Sequence, residues 1–181
     1  VNETYTATAA NSTSIVYSVL PAAAGTIDAV SGIMDWNAVF FGTATITATS
    51  TGVCGITTKD RLVTVNASTG ATSFTAGAVT LCQDAADETY TAIAANSTSI
   101  TYSVVPAGAG IINSGSGVMN WNASFSGIAT ITATSTGLCG MTTASLVVTI
   151  NPTTGATTFT SGATTVCQDA ANETYTATAA N

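Results

Sequence analysis

The sequence predicts an all-β protein, a tandem array of antiparallel β-sandwich domains with an 85-residue repeat. Three observations lead there. First, the chain repeats at that fixed period. Tyr5 in ETYTATAANSTSI returns as Tyr90 in ETYTAIAANSTSI and as Tyr175 in ETYTATAAN. Trp36 returns as Trp121, Cys54 as Cys139 and Cys82 as Cys167, with no insertion between Asn2 and Asn181. Second, nearly every segment alternates apolar and polar residues with period 2, the mark of a half-buried strand. Third, no stretch sustains the three- and four-residue spacing of an amphipathic helix. A repeat of 85 residues is too long for a solenoid turn of about 20–50. It suits a sandwich domain of roughly 100.

Each strand can be justified in turn. In Thr4-Tyr5-Thr6-Ala7-Thr8-Ala9, the residues Tyr5, Ala7 and Ala9 share one face and the threonines the other; Tyr90, Ala92 and Ala94 repeat this. In ITYSV, Ile100, Tyr102 and Val104 face one way, and Thr101 and Ser103 the other. In GTATITATS, Ala44, Ile46 and Ala48 point inward and Thr43, Thr45, Thr47 and Thr49 outward. VMNWNAS places Met119 and Trp121 inside, and LVVTIN buries Val148 and Ile150. Thr, Val, Ile and Tyr suit a pleated, half-buried surface. Pro21, Gly25, Gly32 and Gly42, with Pro106, Gly110, Gly117 and Gly127 one period later, punctuate the strands as turns. The expected core of the complete repeat is Tyr90, Tyr102, Met119, Trp121 and Ile131. So few large inward residues make a thin core for a domain of this size.

The repeat divides the chain into three segments. Residues 1–68 form a repeat lacking its first strand, 69–153 a complete repeat, and 154–181 the first two strands of a third. Residues 172–181 reproduce residues 2–11 letter for letter. The expectation is a window of a longer polypeptide; the alternative is a subunit whose tail supplies a missing strand to its neighbour. Two strands do not hold a fold alone in water, and a missing first strand leaves a sheet edge unpaired.

Composition excludes several functions. Charged residues make up 6% of the chain, His is absent, and Lys59 and Arg61 are the only basic residues. A net charge of −7 is wrong for nucleic acid, which needs clustered Lys and Arg, and for anionic membranes, which attract basic segments. No apolar run approaches the roughly 18 residues that span a bilayer. The surface is instead rich in Thr, Ser, Gly and Ala, and low charge leaves little repulsion against close lateral contact.

The ordered motifs YSVVPAGAGI, GVMNWNAS, GIATITATSTG and GLCG, together with VCQ and ETYTATA, resemble the bacterial immunoglobulin-like and PKD-like repeats of large secreted surface proteins, adhesins and filament proteins of gliding Bacteroidetes. Cys82, Tyr90, Tyr102, Pro106, Trp121, Ile131 and Cys139 stand at the matching positions. The resemblance spans essentially the whole chain. It implies an immunoglobulin-like sandwich, export, a place at the cell surface or in an extracellular filament, and no enzymatic activity.

The candidate sites are few. An even number of cysteines in a small exported domain reads as disulfides. The expected bond within one repeat joins Cys82 and Cys139, 57 residues apart, and would contribute roughly 4 kcal/mol by loop closure. Cys54 and Cys167 would then pair outside the sequence given. A difficulty is that the first strand's end and the last hairpin lie at opposite ends of a plain immunoglobulin topology. A bond between repeats, such as Cys54 with Cys82, and free thiols are the alternatives. Asp84, Asp87 and Glu88 cluster near a domain start, where carboxylates can hold calcium, but a solvated turn accounts for them. With no His and no CxxC, neither a metal site nor a cofactor is expected. Catalysis is not expected either: the many hydroxyls have no base beside them, and Lys59 becomes Ala144 in the second copy. Sequons for glycosylation stand at Asn2, Asn11, Asn66, Asn96, Asn122 and Asn172. The loop-like aromatics are Phe40, Phe41, Phe74 and Phe159.

The functional expectation is therefore a structural repeat segment of a long extracellular filament or adhesin stalk, with copies of itself as partners. The alternative is a module that binds glycans or a surface. An ice-binding face built from the Thr rows needs a flat array, which a twisted sandwich strand provides poorly.

Overall fold

A computed structural model describes residues 2–179. Val1 and Asn181, the outer bounds of the expected first and third repeats, lie outside the described residues. The chain divides into two compact units, residues 1–68 with 138–140, and residues 69–137 with 141–181. No α-helix forms among the described residues; Ala22–Ala24 and Ala107–Ala109 make single 3₁₀ turns.

Unit 1 contains β1 (Glu3–Thr4), β2 (Ser14–Leu20), β3 (Gly25–Ile27), β4 (Ile33–Trp36), β5 (Gly42–Gly52) and β6 (Gly55–Val65). Its two sheets run β1-β4-β3 and β2-β5-β6. Unit 2 contains β7 (Ser73–Ala76), β8 (Thr80–Cys82), β9 (Glu88–Thr89), β10 (Thr91–Ile93), β11 (Ser97–Val105), β12 (Gly110–Ile112), β13 (Val118–Trp121), β14 (Gly127–Gly137) and β15 (Gly140–Asn151). Here β7-β10 and β12-β13-β9 make one layer, and β11-β14-β15-β8 the other. The opening segment thus changes sheets. It runs antiparallel to β10 as β7, then parallel to the end of β15 as β8. That switch, with the antiparallel pairing elsewhere, defines an immunoglobulin-like β-sandwich. Residues from 154 onward add β16 (Thr157–Ser161) and β17 (Thr176–Ala179), paired as an antiparallel ribbon.

The alternation read from the sequence sorts inside from outside. Tyr90, Met119, Trp121, Ile131, Val148 and Ile150 are buried together between the layers of unit 2, with Tyr102 in an adjoining cluster. The turns repeat as faithfully as the strands. Asp28 Oδ1 accepts from the backbone N–H groups of Val30 and Ser31 at 3.0 and 2.7 Å, and Asn113 Oδ1 accepts from Gly115 and Ser116 at 3.0 and 2.9 Å. The side-chain oxygen mimics a backbone carbonyl and closes the turn, so either Asp or Asn serves.

A candidate interaction groove and the sites expected from sequence

The same residue is differently covered in the two units. Tyr90, Ala92, Tyr102, Trp121 and Ala133 are buried in unit 2. One period earlier, Tyr5, Ala7, Tyr17, Trp36 and Ala48 are only partly buried. The difference traces to β7 and β8. In unit 2, Phe74 on β7 packs on Tyr102 with ring centroids 6.5 Å apart, and Phe74 and Leu81 both lean on the main core. Among the described residues, unit 1 has no such segment over Tyr17.

What remains there is a groove of about 310 Å³, with Tyr5, Ala7, Tyr17, Ile46 and Ala48 in its lining and Lys59 and Arg61 beside them. A hollow of about 70 Å³ shares Ala7, Ala48 and Lys59 with it and continues past Ile15. A further one of about 210 Å³ shares Ser50 and Thr57 with that hollow and ends at Cys54. Residues 6–9 are extended without a ladder partner among the described residues, the Ala7 N–H donating instead to Tyr17 Oη at 2.9 Å, although their equivalents in unit 2 form β10 and pair with β7. On the other side, among the described residues, β6 pairs only with β5.

Polar contacts follow the same division. In unit 2 the Tyr90 hydroxyl donates to the Ala78 carbonyl at 2.9 Å, and the Ala78 N–H donates to Glu88 Oε1 at 3.0 Å. Gly77, at φ +130°, lies flat on the Tyr90 ring; a Cβ there would stand 2.1 Å from Tyr90 Cδ1. Burial, with the Glu88 charge adding, pushes the Tyr90 hydroxyl up to about 12. Burial also raises Tyr5, with Glu3 adding and Arg61 opposing. Among the described residues, the Tyr5 hydroxyl and the Glu3 carboxylate have no opening segment to hold.

The cysteine expectation is corrected. All four cysteines are exposed, and none is bonded to another among the described residues. Cys82 sits opposite Asn151 at one end of β15, and Cys139 lies in the turn that precedes the other end. Twelve residues of strand separate them by about 40 Å, whereas a disulfide needs Cα atoms about 4.4–6.8 Å apart. The difficulty raised by the topology therefore decides against Cys82–Cys139. Cys54 occupies the β5–β6 turn, and Cys167 the stretch between β16 and β17.

The acidic cluster is dispersed into turns. Glu88 holds Ala78, Asp87 accepts from Asn120 Nδ2 at 2.7 Å, and Asp84 occupies a left-handed position at φ 62°. No group that could hold a metal ion occurs among the described residues. The sequon asparagines Asn2, Asn11, Asn66, Asn96, Asn122 and Asn172 are all exposed. Asn122 is already engaged: its Nδ2, the atom a glycan would take, donates to the Gly108 carbonyl at 3.1 Å, and its Oδ1 accepts from Ser124. Phe74 and Phe159 prove to be strand residues, and Phe40 packs beside Met34 in the core of unit 1; Phe41 and Phe159 are strongly exposed, at 69% and 77%. The groove was missed in the sequence as a site.

The described residues define an immunoglobulin-like β-sandwich fold. No family model matches the sequence, and no curated protein does. Among solved structures, the chain is similar to human protocadherin-24 EC1-2, with TM-score 0.46 and 14% identity over 77% of this chain and 81% of that one. It is similar to Drosophila N-cadherin EC1-3, with TM-score 0.37 and 15% identity over 77% of this chain and 55% of that one. It is also similar to a SusE-like surface-located polysaccharide-binding protein from Bacteroides thetaiotaomicron, with TM-score 0.34 and 15% identity over 76% of this chain and 29% of that one. No residue role passes from them to this chain.

Proposed function

We propose that the chain is a structural repeat segment of an extracellular filament or cell-surface adhesin stalk, and not an enzyme. One observation supports this most directly: scaffold contacts recur at the repeat while chemically distinctive residues do not. Tyr17 Oη accepts from the Ala7 N–H at 2.9 Å, and Tyr102 Oη accepts from the Ala92 N–H at 2.9 Å. The two cations of the groove, Lys59 and Arg61, become Ala144 and Leu146. Selection for a reaction or a ligand would hold the distinctive groups; selection for length and shape holds the scaffold. Among the described residues, no helix is long and apolar enough to cross a membrane. Negative-stain microscopy of the native material tests this reading. Regular beads or a bundled fibre are expected; isolated globular particles would overturn it. A glycan-binding module is the second reading, favoured by the open groove of unit 1, and an oligosaccharide array on the purified chain tests it.

A further inference from the structure

We infer that residues 72–83 form a shear lock, by which unit 2 bears tension applied through its two chain connections. The inference concerns unit 2 alone, whose entry and exit both lie inside the sequence. The entry is fastened near the start of β15. Thr72 Oγ1 donates to the Thr142 carbonyl at 3.0 Å, Thr142 Oγ1 donates to the Gly70 carbonyl at 2.7 Å, and the Gly70 N–H donates to the Ala95 carbonyl at 2.8 Å. The exit is fastened at the other end of the same strand. Gln83 Oε1 accepts from the Thr153 N–H at 3.2 Å and from the Thr153 hydroxyl at 3.3 Å. Between these two points Glu88 holds the N–H of Ala78 and Tyr90 holds its carbonyl.

The geometry sets how a load passes through the unit. The opening segment runs from Thr72, beside Thr142, to Cys82, opposite Asn151, in the same sense as β15. Tension draws this segment toward the entry end and β15 toward the exit end, so the two must slide past each other. The parallel ladder pairs Thr80 with Thr149, Leu81 with Ile150 and Cys82 with Asn151. At its limits the Thr149 N–H donates to the Val79 carbonyl at 2.9 Å and the Gln83 N–H to the Asn151 carbonyl at 2.7 Å. Ladder bonds reach across from strand to strand, and here that is across the load. They share it and fail together, whereas a ladder opened from one end loses its bonds singly. Phe74 against Tyr102, and Leu81 against the main core, oppose the same sliding. Survival under force is set by the rate of unfolding rather than by equilibrium stability, and this arrangement raises that barrier. For its use the inference rests on the stalk reading, because an array fixed at a surface carries load through each unit in turn.

Single-molecule force spectroscopy on the full 181-residue chain tests it, with the direction of pull as the variable. One chain carries handles at Ser68→Cys and Thr154→Cys, with the four native cysteines changed to Ser. The other carries them at native Cys82 and Thr154→Cys, with Cys54, Cys139 and Cys167 changed to Ser. The first pull shears the β8–β15 ladder, and the second opens it from one end. At equal loading rate the first should unfold unit 2 at about twice the force of the second, or more. Equal forces overturn the lock. Urea midpoints of the two chains should coincide, so that the difference in force is one of direction. Gln83→Pro deletes one donor of the ladder and should raise the unfolding rate under the first pull about fivefold, the effect of one hydrogen bond. Gln83→Ala keeps the ladder and loses only the hold on Thr153, and should raise it about twofold. Unchanged rates in both variants overturn the assignment of the load to this ladder. Isolated particles in microscopy of the native material would overturn the stalk reading and leave the comparison of the two forces intact.

Discussion

Units 1 and 2 are written in nearly the same letters, yet among the described residues half of the core is more covered in unit 2 than in unit 1. Ala24 and Ala109, Met34 and Met119, and Ala44 and Ala129 are buried alike in both, and Ile46 nearly matches Ile131. That half of the core is built by the hairpins each unit contains in full. Tyr5, Ala7, Tyr17, Ala48, Val63 and Val65 make up the other half, and each is more exposed than its counterpart in unit 2. The comparison isolates the contribution of one segment of about a dozen residues. Residues 72–82 add to a sandwich whose other strands already share a core. They close it, by laying Phe74 and Leu81 across both layers.

The strongest way to break this comparison is to make unit 2 resemble unit 1. Phe74→Ala removes the ring that touches Tyr102 and the main core. Loss of a packed Phe costs about 3–5 kcal/mol, and this partly buried one should fall near the lower end. Urea denaturation followed by Trp121 fluorescence should show the loss, with unit 1 unaffected. An unchanged midpoint would mean that the opening segment is ornament rather than closure.

The next test separates a seated segment from an unseated one. Gly77 and Gly162 have the same conformation, at φ +130° and +122°, and each lies against a tyrosine ring at 2.1–2.2 Å from an added Cβ. Gly77→Val forces a β-branched residue into the left-handed region against buried Tyr90, and should cost about 2–4 kcal/mol. Gly162→Val meets Tyr175, which is 54% exposed and can yield at the cost of its exposed hydrogen bond to Ala163. Its cost in thermal denaturation should be under about 1 kcal/mol. Equal costs would show that the third copy's segment is held as tightly as the second's.

Much of this was legible in the sequence. Period-2 alternation placed Tyr90, Tyr102, Met119, Trp121 and Ile131 in the core, and all are buried. Three features did not show. Phe74 sits in a short run, TSFTAG, interrupted by Gly77, which reads as a loop because the strand breaks there to change sheets. Ala109, Ala129 and Ala133 are fully or almost fully buried, but Ala is too common in this chain to signal burial. The cysteine pairing failed because the count and spacing of thiols say nothing about which end of a long strand each one occupies. Topology alone could have decided it.

A smaller effect concerns a polar atom in the closed unit. Ser135 has no accessible surface, and among the described residues its hydroxyl has no hydrogen-bond partner. A buried unpaired hydroxyl costs about 1–3 kcal/mol, so Ser135→Ala should stabilise unit 2 by about 1 kcal/mol. Ser50, its equivalent, is only partly buried and remains within reach of water. Ser50→Ala should then change stability by less than about 0.5 kcal/mol. A destabilised Ser135→Ala would reveal a partner for that hydroxyl.

The smallest difference between the units is one of charge in matching turns. Asp28 and Asn113 do the same work, but only Asp28 titrates. Hydrogen bonds from the Ser31 backbone, the Ser31 hydroxyl and the Val30 backbone hold its carboxyl below its ordinary value of 3.8. A depressed carboxylate stabilises the fold above its unfolded value, and that stability is lost as pH falls through the folded value. Unit 1 should therefore lose a small increment of stability below about pH 4 that the Asn113 turn of unit 2 does not lose. The carboxylate is fully exposed, so the increment is small and screened by salt. Asp28→Asn copies the turn of unit 2 and should remove this part of the acid dependence while leaving neutral stability nearly unchanged. Thermal denaturation of unit 1 between pH 2 and 7, wild type against Asp28→Asn, measures it. Parallel curves would show that the Ser31 and Val30 bonds persist around a protonated carboxyl, and that the two turns are equivalent in acid as well as in shape.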